Sequence, residues 1–302
     1  MLLAIDVGNT ETQAGVYSGD QLLHEWRLRT ERQATADELA ADHDQILRLR
    51  GGSLGELDEM VVASVVPTLS AEYASLSLKY LRREALMIGP GVRTGVPLAI
   101  DNPRELGADR IVNAVAAFRR HGGPCIVVDF GTATTFDAVS AAGEYLGGAI
   151  APGIETSLDA LTSRAARLVK VDLVAPDRAI GKSTTESMRS GIVYGTVAMV
   201  DGVCARMKDE LGPDAVVVAT GGLSSMVFPH SEQIDEVDPL LTLEGLRLVH
   251  ELNVRKPASH GSARGVGAAG AASATTGRPR PASTACMRFF TVPPPSARAC
   301  GR

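Results

Sequence analysis

Leu3-Ala4-Ile5-Asp6-Val7-Gly8 and Ile126-Val127-Val128-Asp129-Phe130-Gly131 share one pattern, an apolar run that ends in an aspartate and a glycine, and they lie 123 positions apart. The same offset places Thr12 on Thr135, Val16 on Val139 and Leu23 on Leu146. Each copy predicts a buried strand, a Gly-hydroxyl turn and then a hairpin, closed at Gly19-Asp20 in the first and Ala142-Gly143 in the second. Helical periods follow in each half: about 35–49 and 69–82 in the first, 155–162 and 184–211 in the second. Strands at 59–65, 85–88 and 215–219 alternate with them. The expectation is an α/β chain of two similar halves, 1–118 and 119–253, each a mixed sheet covered by helices.

These turns have a specific chemistry. Glycine lets backbone N–H groups approach an anion, and Asn9, Thr10 and Thr132 add side-chain donors. An aspartate just before such a turn repels a phosphate directly, but it suits a cation that bridges to one. Two turns facing each other would grip a nucleoside triphosphate from both sides. A third glycine element, Ala219-Thr220-Gly221-Gly222-Leu223-Ser224, follows an apolar strand and would let a flat base or ribose lie against backbone. Other nucleotide and hydrolase signatures fail. Gly181-Lys182-Ser183 would need a glycine at Pro176 to complete a P-loop, and no H-E-x-x-H, G-x-S-x-G or protein-kinase set occurs.

Composition narrows the class. The net charge of −5 over 302 residues argues against a mainly nucleic-acid-binding protein, and no apolar run reaches the ~18 residues of a membrane span. Cys125, Cys204, Cys286 and Cys300 form no C-x-x-C pair or zinc spacing, so a reducing, cytoplasmic setting is expected. Residues 254–302 contain no Asp or Glu but 8 Lys+Arg, 11 Ala and 12 Gly+Pro, a composition that predicts disorder. Gly265-Val266-Gly267-Ala268-Ala269-Gly270 within it matches G-x-G-x-x-G but lacks the preceding strand and following acid of a dinucleotide fingerprint.

Between the repeats, Asn102-Pro103-Arg104-Glu105 reads as an N-cap, a proline at N1 and a capping-box acid. The helix expected from it would carry Gly107, Ala108, Asp109 and Arg110 in its early turns. Asp109 could accept a proton from an alcohol, and Arg110 could fork onto a carboxylate; an ordinary surface ion pair is the competing reading.

Taken together, Asp6-Val7-Gly8-Asn9-Thr10, Asn102-Pro103…Gly107-Ala108-Asp109-Arg110, Asp129-Phe130-Gly131-Thr132-Ala133-Thr134-Thr135 and Gly147-Gly148…Pro152-Gly153 resemble the type III pantothenate kinases. That family belongs to the acetate kinase, hexokinase, Hsp70 and actin superfamily, and the likeness runs in order from about 1 to 252. It implies duplicated actin-like, ribonuclease H-like domains with a nucleotide cleft between them. It further implies phosphorylation of pantothenate by ATP to 4′-phosphopantothenate, the first step toward coenzyme A. Under the resemblance, Asp6, Val7, Gly8, Asn9, Thr10, Glu11, Thr12, Gln13 and Thr132 bind ATP, with Asp6 on Mg²⁺ through the phosphates. Asp129 binds a monovalent cation, K⁺ or NH₄⁺. Gly107, Ala108, Asp109, Arg110 and Thr184 surround pantothenate, with Asp109 the proton acceptor. A homodimer is implied, with Thr184 near its interface and helical-spaced Met188, Ile192, Val193 and Val197 along the segment that follows. Many members carry tyrosine where this chain has Ile100. A kinase for a sugar or acetate-type acceptor, and a non-catalytic regulator, are the other classes the motifs admit.

Overall fold

The computed structural model describes residues 1–165 and 167–254. Its ten strands are β1 (Leu2–Val7), β2 (Glu11–Ser18), β3 (Gln21–Arg29), β4 (Glu59–Ser64), β5 (Leu86–Met87), β6 (Cys125–Phe130), β7 (Ala133–Val139), β8 (Tyr145–Pro152), β9 (Val216–Thr220) and β10 (Glu236–Val237). They form two sheets of identical topology, β3-β2-β1-β4-β5 and β8-β7-β6-β9-β10. In each, the first three strands form an antiparallel meander, and the first strand also pairs in parallel with the fourth. Duplication is therefore a property of the fold as well as of the sequence.

The register refines the offset between halves. Leu3 faces Val16 on β2, whereas its counterpart Ile126 faces Ala138 on β7. Val16 thus matches Ala138, and Thr12 matches Thr134, one position short of the constant spacing expected from sequence. The reason is turn length: Gly8-Asn9-Thr10 separates β1 from β2, but only Gly131-Thr132 separates β6 from β7. The hairpin that follows is one residue longer in the second half and restores Leu23 to Leu146. Both second strands bulge at matched places, Val16/Tyr17 and Ala138/Val139.

The helices are α1 (Ala36–Leu49), α2 (Pro67–Leu76), α3 (Ala108–His121), α4 (Ile154–Arg164), α5 (Thr184–Leu211), α6 (Ser224–Val227) and α7 (Leu241–Val254). Thr35 starts α1 with a complete capping box to Glu38, and Ser183 caps α5. β1 is buried on both faces, which is why it reads as an unbroken apolar run. Leu3, Ile5 and Val7 pack with α1 and α2, while Leu2 and Ala4 pack with α3 and α7. Cys125 and Val127 of β6 meet that same α3–α7 layer, and Ile126 and Val128 face the core built on α5. The residue pair 118–119, expected as the boundary between halves, lies inside α3. Ile100 packs beside this shared layer.

One expected element divides. Asn102 caps only a short 3-10 turn, Pro103–Glu105; Leu106 is extended, and α3 begins afresh after Gly107. No capping box forms: the Asn102 side chain accepts from the Arg104 N–H and donates to the Glu105 carboxylate, and Asp109 falls in the first turn of α3. Among the described residues no helix is long and apolar enough to cross a membrane. Cys125 and Cys204 are buried free thiols, pushed up to about 12 by burial. The acid-free segment read from 254 onward, with its glycine motif, Cys286 and Cys300, lies outside the described residues apart from Val254, which closes α7.

Candidate active site

Three elements deliver three carboxylates to one place: β1 brings Asp6, β6 brings Asp129, and the first turn of α3 brings Asp109. Loss of solvent pushes the Asp6 carboxyl well above the usual range, and the charges of Asp109 and then Asp129 push it further. Burial, Asp109 and Asp137 together raise Asp129 to about 7, against a lowering hydrogen bond from Asn113. Asp109 is also raised by burial, opposed chiefly by the backbone N–H of Arg110, which donates to Oδ1 at 2.9 Å. Asp6 is thus raised by the charges of Asp109 and Asp129, and Asp129 by that of Asp109, so the site carries more negative charge than its own protein partners offset.

The two turns meet above these carboxylates. Thr10 Oγ1 and Thr132 Oγ1 are 3.1 Å apart, so residues 122 positions distant share a hydrogen bond. The Gly8 N–H donates to the Glu11 carbonyl, and Thr30 Oγ1 donates to the Gly8 carbonyl at 2.8 Å, which fixes the first turn from below. Arg32 donates to Asn9 Oδ1 at 3.0 Å. Thr156 Oγ1 and the Gly153 N–H both donate to the Thr132 carbonyl and fix the second turn. Val7 and Thr12 turn their side chains away, into the core beneath α1 and α2. Gln13 shares a register row with Asp6 and donates to the Pro239 carbonyl. The third glycine element lies alongside: Gly221 has φ +87°, and a Cβ there would stand 2.6 Å from Asp129 Oδ1.

On the other side of Asp109, Gly107 leaves room that any side chain would take, since a Cβ would strike the Asp109 carboxylate. Arg110 is aimed by a buried clamp: its Nε donates to Asp137 Oδ1 at 2.7 Å, and its Nη2 reaches the Phe136 carbonyl. Tyr145 donates to the same Asp137 oxygen at 2.6 Å. Asp137 is fully buried and is raised to about 6 by that burial, against the pull of Arg110 and Tyr145. Asn113, one turn after Asp109 on α3, donates to Asp129 Oδ2 at 3.2 Å and accepts from Thr242 Oγ1 of α7 at 2.8 Å. Thr184 stands exposed at the start of α5 and shares no hydrogen bond with this group among the described residues. Sequence reasoning did not find Asn113, Asp137 or Tyr145. The i, i+4 spacing of Asp109 and Asn113 was an available signal for the first; burial alone marks the others.

Residues 2–206 match the family model for type III pantothenate kinase. The chain belongs to the type III pantothenate kinases. A type III pantothenate kinase of Moorella thermoacetica is 54% identical over 253 residues, covering 84% of this chain and 100% of that relative. One from Myxococcus xanthus is 53% identical over 253 residues, 84% of this chain and 99% of its own length. Among solved structures, a proposed Baf family transcriptional activator from Campylobacter jejuni superposes with a TM-score of 0.54 at 18% identity, over 83% of this chain and 98% of that one. A proposed 2-dehydro-3-deoxygalactonokinase from Sinorhizobium meliloti gives 0.50 at 14%, over 85% and 98%. Those two likenesses show the fold alone: this chain has the duplicated, actin-like α/β architecture. The pantothenate kinase match also answers the two competing classes, since this chain is an ATP-dependent phosphotransferase of that family.

Proposed function

We propose that Asp109 accepts the proton of the pantothenate hydroxyl while the γ-phosphoryl group of ATP is transferred in line to that oxygen. The convergence of Asp6, Asp109 and Asp129 beneath the contact between Thr10 and Thr132 carries this reading. Asn9 and Thr10 of the first turn, with Thr132 of the second, hold the phosphates through N–H and hydroxyl donors. Gly107, Ala108 and Arg110 receive pantothenate, whose carboxylate suits a guanidinium already held in plane by Asp137. Elevation of Asp109 by burial improves its basicity for this step.

The residues fit the cations that such a transfer uses. A cluster in which the charge of Asp109 raises both Asp6 and Asp129 is relieved by added positive charge. Among the described residues no group of three or more His, Cys, Asp or Glu could hold a metal ion. Asp6 would hold Mg²⁺ with the nucleotide, and Asp129, steadied by Asn113, would hold K⁺ or NH₄⁺. Mg²⁺ offsets charge on the transferring group when bound.

The enzyme is read as a cytoplasmic homodimer. Gly191 and Gly195 on α5 face open space where a second helix could approach, and Thr184 lies at the start of the same helix. A monomeric active species in light scattering would refute this assembly. Coupled measurement of ADP release, with and without pantothenate and with K⁺ exchanged for Na⁺, tests the whole reading. Release that requires pantothenate and K⁺ is expected; release indifferent to pantothenate would sink the assignment of Asp109.

A further inference from the structure

Register places Arg27 in the site by a route the turn motifs do not reveal. Asp6 on β1 stands opposite Gln13 on β2, and Gln13 stands opposite Arg27 on β3. Residues in one such row project from the same face of a sheet. Arg27 therefore points to the side on which Asp6 lies, rather than to the face packed under α1 and α2. Its Nη1 donates to Glu11 Oε1 at 2.5 Å, and a Cβ built on Gly222 would stand 3.8 Å from that same nitrogen. A side chain from the first sheet thus reaches the glycine element that follows β9 of the second. Its positive charge lowers both Asp6 and Asp129.

We propose that Arg27 is a nucleotide-phosphate ligand, and that Glu11 occupies its guanidinium until a triphosphate arrives. The inference rests on the nucleotide reading given above. A carboxylate and a phosphate present the same pair of oxygens to an arginine fork, so the Glu11 carboxylate stands in for the phosphate oxygens. The side chains of Arg27 and Glu11 are 33% and 50% exposed, so the pair is accessible and weak enough to exchange. The approaching phosphates repel Glu11 and attract Arg27, moving the guanidinium from one to the other without any change in protonation.

Calorimetric titration of the intact protein with Mg-ATP, in the absence of pantothenate, tests this on wild type, Arg27→Ala, Arg27→Lys and Glu11→Gln. Arg27→Ala should lose about 10- to 100-fold in affinity, the range of a charge-assisted hydrogen bond. Arg27→Lys should recover part of it, because a point charge cannot span two oxygens. Glu11→Gln should bind a few-fold tighter, since the competing carboxylate is gone. That opposite sign keeps the test decisive even if Arg27→Ala folds poorly. Equal affinity for wild type and Arg27→Ala overturns the proposal. So does a Glu11→Gln loss as large as that of Arg27→Ala, which would make the pair a structural clip. Wild type that binds no Mg-ATP overturns both this inference and the nucleotide site. Wild type that binds Mg-ATP but leaves pantothenate unmodified overturns only the substrate reading, and the affinities still decide for Arg27.

Discussion

The row that crosses the first sheet through Asp6 runs Arg27, Gln13, Asp6, Ala63; its counterpart in the second runs Ile150, Thr135, Asp129, Thr220. The backbone and the aspartate are common to both, and everything beside the aspartate differs. Arg27 ends the first row with a cation, while Ile150 ends the second with an apolar side chain that is 67% exposed. Duplication preserved the frame that presents a carboxylate at the end of a strand. Divergence of the flanking positions sets a cation in the row of one aspartate and hydroxyls and an amide beside the other. The turns differ in the same sense: the three-residue turn adds Asn9 and Thr10 as donors, and the two-residue turn adds Thr132.

The three carboxylates offer the most severe way to break this comparison. Asp109→Asn should lower kcat by roughly 10²–10⁴-fold while Mg-ATP affinity stays near wild type. Asp6→Asn should do the opposite first and weaken Mg-ATP binding. Parallel turnover and binding measurements that show the same pattern in both variants would erase the distinction. A subtler contrast concerns Asn113, which serves only the second aspartate. Asn113→Ala removes the amide between Thr242 and Asp129, so half-saturation by K⁺ should rise by about 10-fold or more. An unchanged K⁺ curve would detach Asn113 from Asp129.

The smallest effect concerns stability and the first half alone. His43 is fully buried between Trp26, whose Nε1–H donates to Nδ1 at 3.1 Å, and Tyr73, whose hydroxyl lies 3.1 Å from Nε2. Burial lowers its pKa from 6.5 to about 4. The folded protein therefore keeps it neutral where the unfolded chain takes up a proton, so stability falls as pH drops from about 6.5 toward about 4. Between pH 7.5 and 5 this amounts to about 2 kcal/mol. The raised carboxyls of Asp129 and Asp137 contribute with the opposite sign in both proteins, so the difference between thermal melts isolates His43: over this range wild type should lose about 2 kcal/mol relative to His43→Leu. Equal sensitivity in both would place its origin elsewhere.

The sequence carried the strands and carboxylates of this site because a buried strand, an acid and a glycine turn are local features. It misplaced what depends on register or on distant packing. The one-residue slip between β2 and β7 has no local signature beyond turn length. The break at Leu106 divides what reads as one capped helix. Asp137 looks like any polar residue on an alternating strand until Arg110 and Tyr145 are seen to close on it. Arg27 acquires a direction only when its row is known to include Asp6.

The order of synthesis has a consequence of its own. Leu241, Leu243, Leu246 and Val249 of α7 cover the same face of β1 as Leu2 and Ala4, and Gly245 lets the helix lie against the Val112 carbonyl of α3. Arg93 and Asn253 then fasten its end. The first sheet to emerge from the ribosome thus waits for nearly all of the described chain before that face is sealed. A nascent chain halted before residue 241 would expose an apolar surface and be prone to aggregate or to bind chaperones. The face of β1 turned from α1 and α2 is closed by a helix some 235 residues downstream of it.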